Sequence, residues 1–93
     1  MMKMMNVFGI ELDDWHEITF NNVRGTFFRC IPGSSFSSIS LYKENELFVI
    51  HFYNELYFLE KYLPLTIIRG NAEYAKQYVD DFLIKMDKMK AFI

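Results

Sequence analysis

One cysteine, two prolines and four glycines in 93 residues leave little room for the usual signatures of chemistry. The lone thiol, Cys30, excludes an intramolecular disulfide and fits an intracellular, cytoplasmic protein. The histidines are His16 and His51. With no Cys-x-x-Cys and no histidine pair at helical spacing, no metal centre is expected. The glycines are too dispersed for a dinucleotide or P-loop fingerprint, so no cofactor is expected either. Ser34 and Ser35 follow Pro32-Gly33 without the Gly-x-Ser-x-Gly elbow of a nucleophilic serine. Charge of either sign is also missing in excess: ten basic residues stand against twelve acidic ones, a net −2. Phosphate neutralisation supplies most nucleic-acid affinity, so this balance weighs against a nucleic-acid partner. No apolar run approaches the ~20 residues of a membrane span, and acids follow the single lysine of the start at once. A soluble protein with no membrane association is expected.

What the chain has is aromatics: ten Phe, six Tyr and one Trp. They concentrate at Leu47–Leu59 (LFVIHFYNELYFL), where Glu55 is the one fully charged residue. That is more apolar surface than one face of a small domain needs. It is buried on both sides of a sheet, or part of it meets a partner.

The length fits one domain, residues 1–93, with 1–6 as a loosely held leader. Val7–Leu12 reads as a first strand. From Asp13, either a short capped helical turn follows or Glu17–Phe20 continues as a strand. Asn21-Asn22 marks a turn, and Gly25 a bend. Thr26–Ile31, β-branched and aromatic, reads as a strand ending at the Pro32–Ser35 turn. Phe36–Tyr42 alternates, with Ile39 and Leu41 on one face and Ser38 and Ser40 on the other, as a half-exposed strand does. Lys43–Glu46 is a polar connection of hairpin length. Leu47–Tyr53 follows as the most buried strand, its two apolar faces suiting a central position. Residues 55–63 fit a short helix capped by Asn54 and stopped by Pro64, or another strand. Leu65–Ile68 is a short strand.

The last element is a helix over about 72–90, capped by Asn71. Ala75, Val79, Phe82, Met86 and Met89 make its apolar stripe, flanked by Tyr78 and Leu83. Glu73, Lys76, Asp80 and Asp87 make its polar face, with Lys76–Asp80 and Asp81–Lys85 as spaced ion pairs. The fold class is therefore α+β: a small antiparallel sheet of four to five strands, with the C-terminal helix packed on one face.

Candidate sites are few. Cys30 and His51, on adjacent strands, are the one conceivable nucleophile–base pair, making a small enzyme or enzyme subunit one alternative. A buried structural cysteine is the simpler reading. Exposed aromatics such as Tyr42, Tyr53, Tyr57 and Phe58 would make a stacking platform for single-stranded nucleic acid, though few cations frame it. The reading with fewest missing parts is a non-catalytic protein-binding module, with a homodimer as one form. Its partner-binding residues are expected among Glu11, Asp13, Asp14, Trp15 and Glu17, an aromatic anchor with a charged rim, and among Tyr42 and Tyr53. In size and aromatic-rich, motif-free character the chain resembles small accessory proteins of phages and other mobile elements. Many of these are inhibitors that block a host protein, anti-CRISPR and other anti-defence factors among them. The resemblance implies a host protein as partner, in the host-cell cytoplasm, and transfers no functional residue.

Overall fold

The computed structural model describes residues 4–20, 23–63 and 67–89. Its architecture is α+β. A two-stranded hairpin, β1 (Met5–Val7) and β2 (Ile10–Leu12), precedes a five-stranded antiparallel sheet. The sheet runs in chain order: β3 (His16–Phe20), β4 (Val23–Cys30), β5 (Ser38–Glu44), β6 (Leu47–Tyr53) and β7 (Ile67–Arg69). A 3-10 segment, Asn54–Lys61, links β6 towards β7, and α1 (Ala72–Met89) closes the chain.

Local chemistry explains most of these elements, and it corrects several expectations. Val7–Leu12 is not one strand. Phe8 and Gly9 take φ of 56° and 73°, the two left-handed positions of a tight hairpin turn. A phenylalanine is strained there. The fold compensates by stacking Phe8 edge-on against Phe58, at 5.9 Å, and by giving its N–H to Asp87 Oδ1 at 2.6 Å. Met5, placed in the expected leader, is buried in β1 opposite Leu12. Beyond Asp13 the strand reading holds, as β3. Pro32 and Gly33 (φ 83°) make the expected turn, closed by Ser34 N–H to Ile31 O at 2.9 Å. The Lys43–Glu46 connection shrinks to Asn45-Glu46, because Lys43 and Glu44 stay paired with Phe48 and Leu47. The expected turn at Asn21-Asn22 and the stop at Pro64 lie outside the described residues.

After β6, Asn54 (φ 54°) turns the chain. It does not cap the helical segment; its side-chain amide donates instead to Phe36 O. Leu56 and Leu59 then repeat at the three-residue period of a 3-10 helix, and both are fully buried. α1 has the expected cap, Asn71 Oδ1 accepting from Tyr74 N–H at 2.8 Å.

The core lies between the sheet's inner face and α1, with the hairpin and the 3-10 segment closing its ends. Phe27, Ile39, Leu41, Phe48, Ile50, Phe52 and Ile68 enter from the strands. Ala75, Val79 and Leu83 enter from α1. The buried helix face is thus rotated from the expected stripe. Leu83 is fully buried, Phe82 and Met86 only partly, and Met89 is 56% exposed. Asp80, assigned to the polar face, is 95% buried by the core, and its partner is Arg29 rather than Lys76. Lys76 lies 2.9 Å from Glu73, with its ammonium 4.6 Å from the centre of the Phe27 ring.

Candidate functional site

The alternation of the strands divides the sheet into two unlike faces. Register puts Phe27 and Arg29 beside Leu41 and Ile39 on the inner face. Thr26, Phe28 and Cys30, with Ser38, Ser40 and Tyr42, therefore point outward. On β6 the outward set is Leu47, Val49, His51 and Tyr53; on β3 it includes His16 and Ile18; on β7 it is Ile67 and Arg69. α1 packs on the inner face alone. The second apolar face of β6 is thus explained by exposure rather than by a second covering layer. Leu47 and Val49 are half-buried, and Tyr53 and Ile67 are exposed.

Within this outer face lies a groove of about 360 Å³. Its shape follows from side-chain size. β5 contributes small residues, Ser38 and Ser40, and these sit between larger neighbours: Phe28 across from Ser40 on β4, and Tyr53 across from Ser38 on β6. Ile18 and Tyr42 border one end and Phe36 the other.

Phe36 is the residue the sequence reading missed. It was placed at the start of a strand; β5 begins two residues later, and Phe36 is 77% exposed. Its loop is nevertheless fixed. Ser34 Oγ accepts from the N–H groups of Phe36 and Ser37, at 3.4 and 3.3 Å. Ser37 Oγ donates to Glu55 at 3.1 Å, and the Asn54 amide holds the Phe36 carbonyl. A large apolar side chain is therefore presented to solvent from a braced backbone. The available signal was a single phenylalanine among Ser34, Ser35, Ser37 and Ser38, where a loop would ordinarily be polar throughout.

Tyr42 and Tyr53, two expected site residues, both lie on this face. His51 stands between them, with ring centres 6.2 Å and 4.3 Å away. Burial, then the neighbouring Tyr53 and Glu44, raise the Tyr42 pKa, which keeps its phenol a neutral hydrogen-bonding group.

The acidic segment is a different structure. Trp15 is half-buried; its Nε1–H donates to Asp80 Oδ1 at 3.0 Å, and the Arg29 guanidinium lies 4.8 Å from its ring centre. Arg29 donates through Nη1 to the same Asp80 oxygen, at 2.6 Å, and through Nε to Asp13 O, at 2.8 Å. Asp13 Oδ1 accepts from Cys30 N–H at 2.7 Å, its Oδ2 lies 3.1 Å from His16 Nε2, and Asp14 Oδ1 accepts from Trp15 N–H at 2.8 Å. Glu11 and Glu17 stay exposed, on β2 and β3. Asp13 and Trp15 thus fasten the β2–β3 connection to the core, and the four carboxylates do not converge.

Cys30 and His51 are not on neighbouring strands, because β5 runs between β4 and β6. Strand spacing of about 4.8 Å, with an offset in register that puts Cys30 level with Tyr53, sets the Cα atoms of Cys30 and His51 roughly 12 Å apart. Cys30 is half-buried on the outer face rather than in the core. Burial, followed by the charge of Asp13, pushes its thiol pKa up. A thiolate nucleophile requires the reverse.

A wider depression of about 710 Å³ opens at the Gly25 end of the sheet, where Glu17, Lys43, Glu46 and Arg69 mix both signs of charge over Phe27 and Phe48. Nothing there selects an ion of one sign. Among the described residues, no three His, Cys, Asp or Glu side chains are grouped to hold a metal, and no helix is long and apolar enough to cross a membrane. No family model matches the chain, nor does any curated protein or solved structure.

Proposed function

We propose that this is a non-catalytic protein-binding module that meets its partner through the outer face of the sheet. The observation that carries the reading is Phe36, 77% exposed on a braced loop beside an apolar groove. Rigid aromatic side chains that lose little entropy on docking are what interface hot spots are made of. The surroundings support the same reading. Ile18, Phe28, Val49 and Ile67 spread apolar surface across the face from one edge strand to the other, and Tyr42, Tyr53 and the β5 serines give its middle strands neutral hydrogen-bonding groups. No lysine or arginine lines the groove, which is poor provision for a phosphate backbone. On this reading the protein acts by covering a surface of its partner, as small inhibitors of mobile elements do.

The test is affinity capture from the native host's lysate with two baits, the parent chain and Phe36→Asp. The expected result is one or a few proteins retained by the parent and lost with the variant, while circular dichroism and melting of the two baits agree. Identical captures by both baits would remove the outer face from the function.

A further inference from the structure

The outer face carries a knob and a hole side by side, and that arrangement selects a particular partner. We propose that a second copy of this chain docks on it, face to face and antiparallel, with Phe36 of each copy seated in the groove of the other. The inference rests on the protein-binding reading above and names the occupant of the same surface.

Three observations carry it. The first is reciprocity. Phe36 borders one end of the groove, where Ser38 and Tyr53 lie; Ile18, Thr26 and Tyr42 border the opposite end. A two-fold axis lying between the two faces, perpendicular to the strands, brings each Phe36 over the other copy's Ile18–Tyr42 end. An interface of this kind is isologous: one patch supplies both the inserted group and its receptor, and the symmetry closes at two copies.

The second is fit. An apolar cavity of about 150 Å³ accepts a benzene ring, so the groove, at about 360 Å³, has room for a phenyl side chain. Its neighbours match in character. Phe28, Ile18 and Tyr42 offer carbon surface, and Ser38 and Ser40 leave depth without a charge to desolvate.

The third is charge and area. No charged side chain lines the groove, and the charges around it are of both signs: His51 Nε2 lies 3.9 Å from Glu60, and Glu44 and Arg69 fall on the same face. Such a mixed surface, uncharged at the groove, attracts neither a polyanion nor a polycation and does not repel its own copy. Five strands about 4.8 Å apart, the shortest of 3 and the longest of 8 residues, at about 3.3 Å per residue, project to roughly 400–500 Å². Two such faces together reach the low end of specific interfaces, near 1,000 Å² in total. A weak, reversible dimer is the consequence rather than an obligate one. Extended sheets stacked this way lie about 10 Å apart, a gap that side chains such as Phe36 and Tyr53 span.

The experiment is analytical ultracentrifugation of the full chain across concentrations up to the order of 100 µM, the range in which weak self-association is read. Three variants accompany the parent: Phe36→Asp removes the knob, Ser40→Trp fills the hole, and Ile84→Asp alters the exposed outer side of α1. A concentration-dependent dimer is expected for the parent and for Ile84→Asp. Phe36→Asp and Ser40→Trp should each weaken it at least about tenfold, the effect of losing an interface hot spot. Because both sites are at the surface, near-ultraviolet circular dichroism should show each variant folded. If either variant proves unfolded, Phe36→Ser is the replacement. A parent that stays monomeric throughout overturns the dimer. So does a dimer that survives both knob and hole variants, or one that Ile84→Asp abolishes. The two readings fail separately. A monomeric parent whose lysate partner is still lost with Phe36→Asp leaves the protein-binding reading standing and assigns the groove to a different protein. Loss of neither dimer nor partner removes both.

Discussion

The two faces of the same five strands obey opposite rules. On the inner face even an arginine is admitted, but only with an opposite charge at hydrogen-bonding distance. Arg29 is completely buried, 2.6 Å from Asp80, with Trp15 and Asp13 O on its remaining sides. Its Nη2 is the one guanidinium nitrogen without a hydrogen-bond partner. On the outer face apolar and aromatic groups are left beside water, around a groove that no charged side chain lines. Isolation of a charge inside costs far more than exposure of a ring outside. The inner face is thus determined by folding, whereas the outer face is free to be determined by binding.

The sharpest way to break this comparison is to strip Arg29 of its counterion. Asp80→Ala leaves a buried guanidinium uncompensated and also removes the acceptor of Trp15 Nε1–H. Breaking a buried pair from one side costs about 3–5 kcal/mol, a large share of the stability of a chain this size. Urea unfolding should show a midpoint collapse, or no cooperative transition at all. A midpoint within a few tenths molar of the parent would mean that Arg29 reaches water and that the inner face is no different from the outer one.

Next in size is a pair of helix truncations. Leu83 is fully buried and Phe82 only partly, so Leu83→Ala should cost about 2–5 kcal/mol and Phe82→Ala distinctly less. Periodicity alone ranks them the other way, since it puts Phe82 on the apolar stripe and Leu83 on its flank. Thermal melting of both variants decides the order. A larger loss for Phe82→Ala would restore the unrotated helix.

That reversal shows what kind of information a sequence carries. Alternation and punctuation are local, and they were legible. Phe36–Tyr42 reads as a half-exposed strand because Ile39 and Leu41 alternate with serines, and Asn71 reads as a cap because it precedes an uninterrupted amphipathic run. The helix's rotation was not legible. It brings Asp80 inward beside Ala75, Val79 and Leu83, to a partner, Arg29, that stands some fifty positions earlier in the chain. The arginine was visible within Thr26–Ile31, on the same alternation as Phe27, yet nothing local says which acid will answer it. The candidate site divided in the same way. Tyr42 and Tyr53, singled out by composition, lie together on the outer face. The Glu11–Glu17 segment looked like an anchor with a charged rim, but Trp15 and Asp13 bond inward to partners that sequence spacing does not reveal. Phe36 was absorbed into a neighbouring strand pattern, because alternation records a residue's phase and not whether anything lies opposite it.

The smallest expected effect is also the one that best isolates the outer face. Phe36→Ser removes a ring that is 77% exposed, so little packing is lost, and the loop's hydrogen bonds are made by its backbone and by Ser34, Ser37 and Asn54. Surface substitutions away from such fixed features change stability by no more than about 0.5 kcal/mol. The melting temperature of Phe36→Ser, measured at low protein concentration, should therefore match the parent's. At high concentration a dimer would stabilise the parent by mass action, and the two curves should separate there because a ligand that binds only the folded state raises apparent stability with its concentration. A deficit of 2 kcal/mol or more that is already present at low concentration, on the order of core truncations, would show that Phe36 belongs to the fold and that the division between the two faces is drawn in the wrong place.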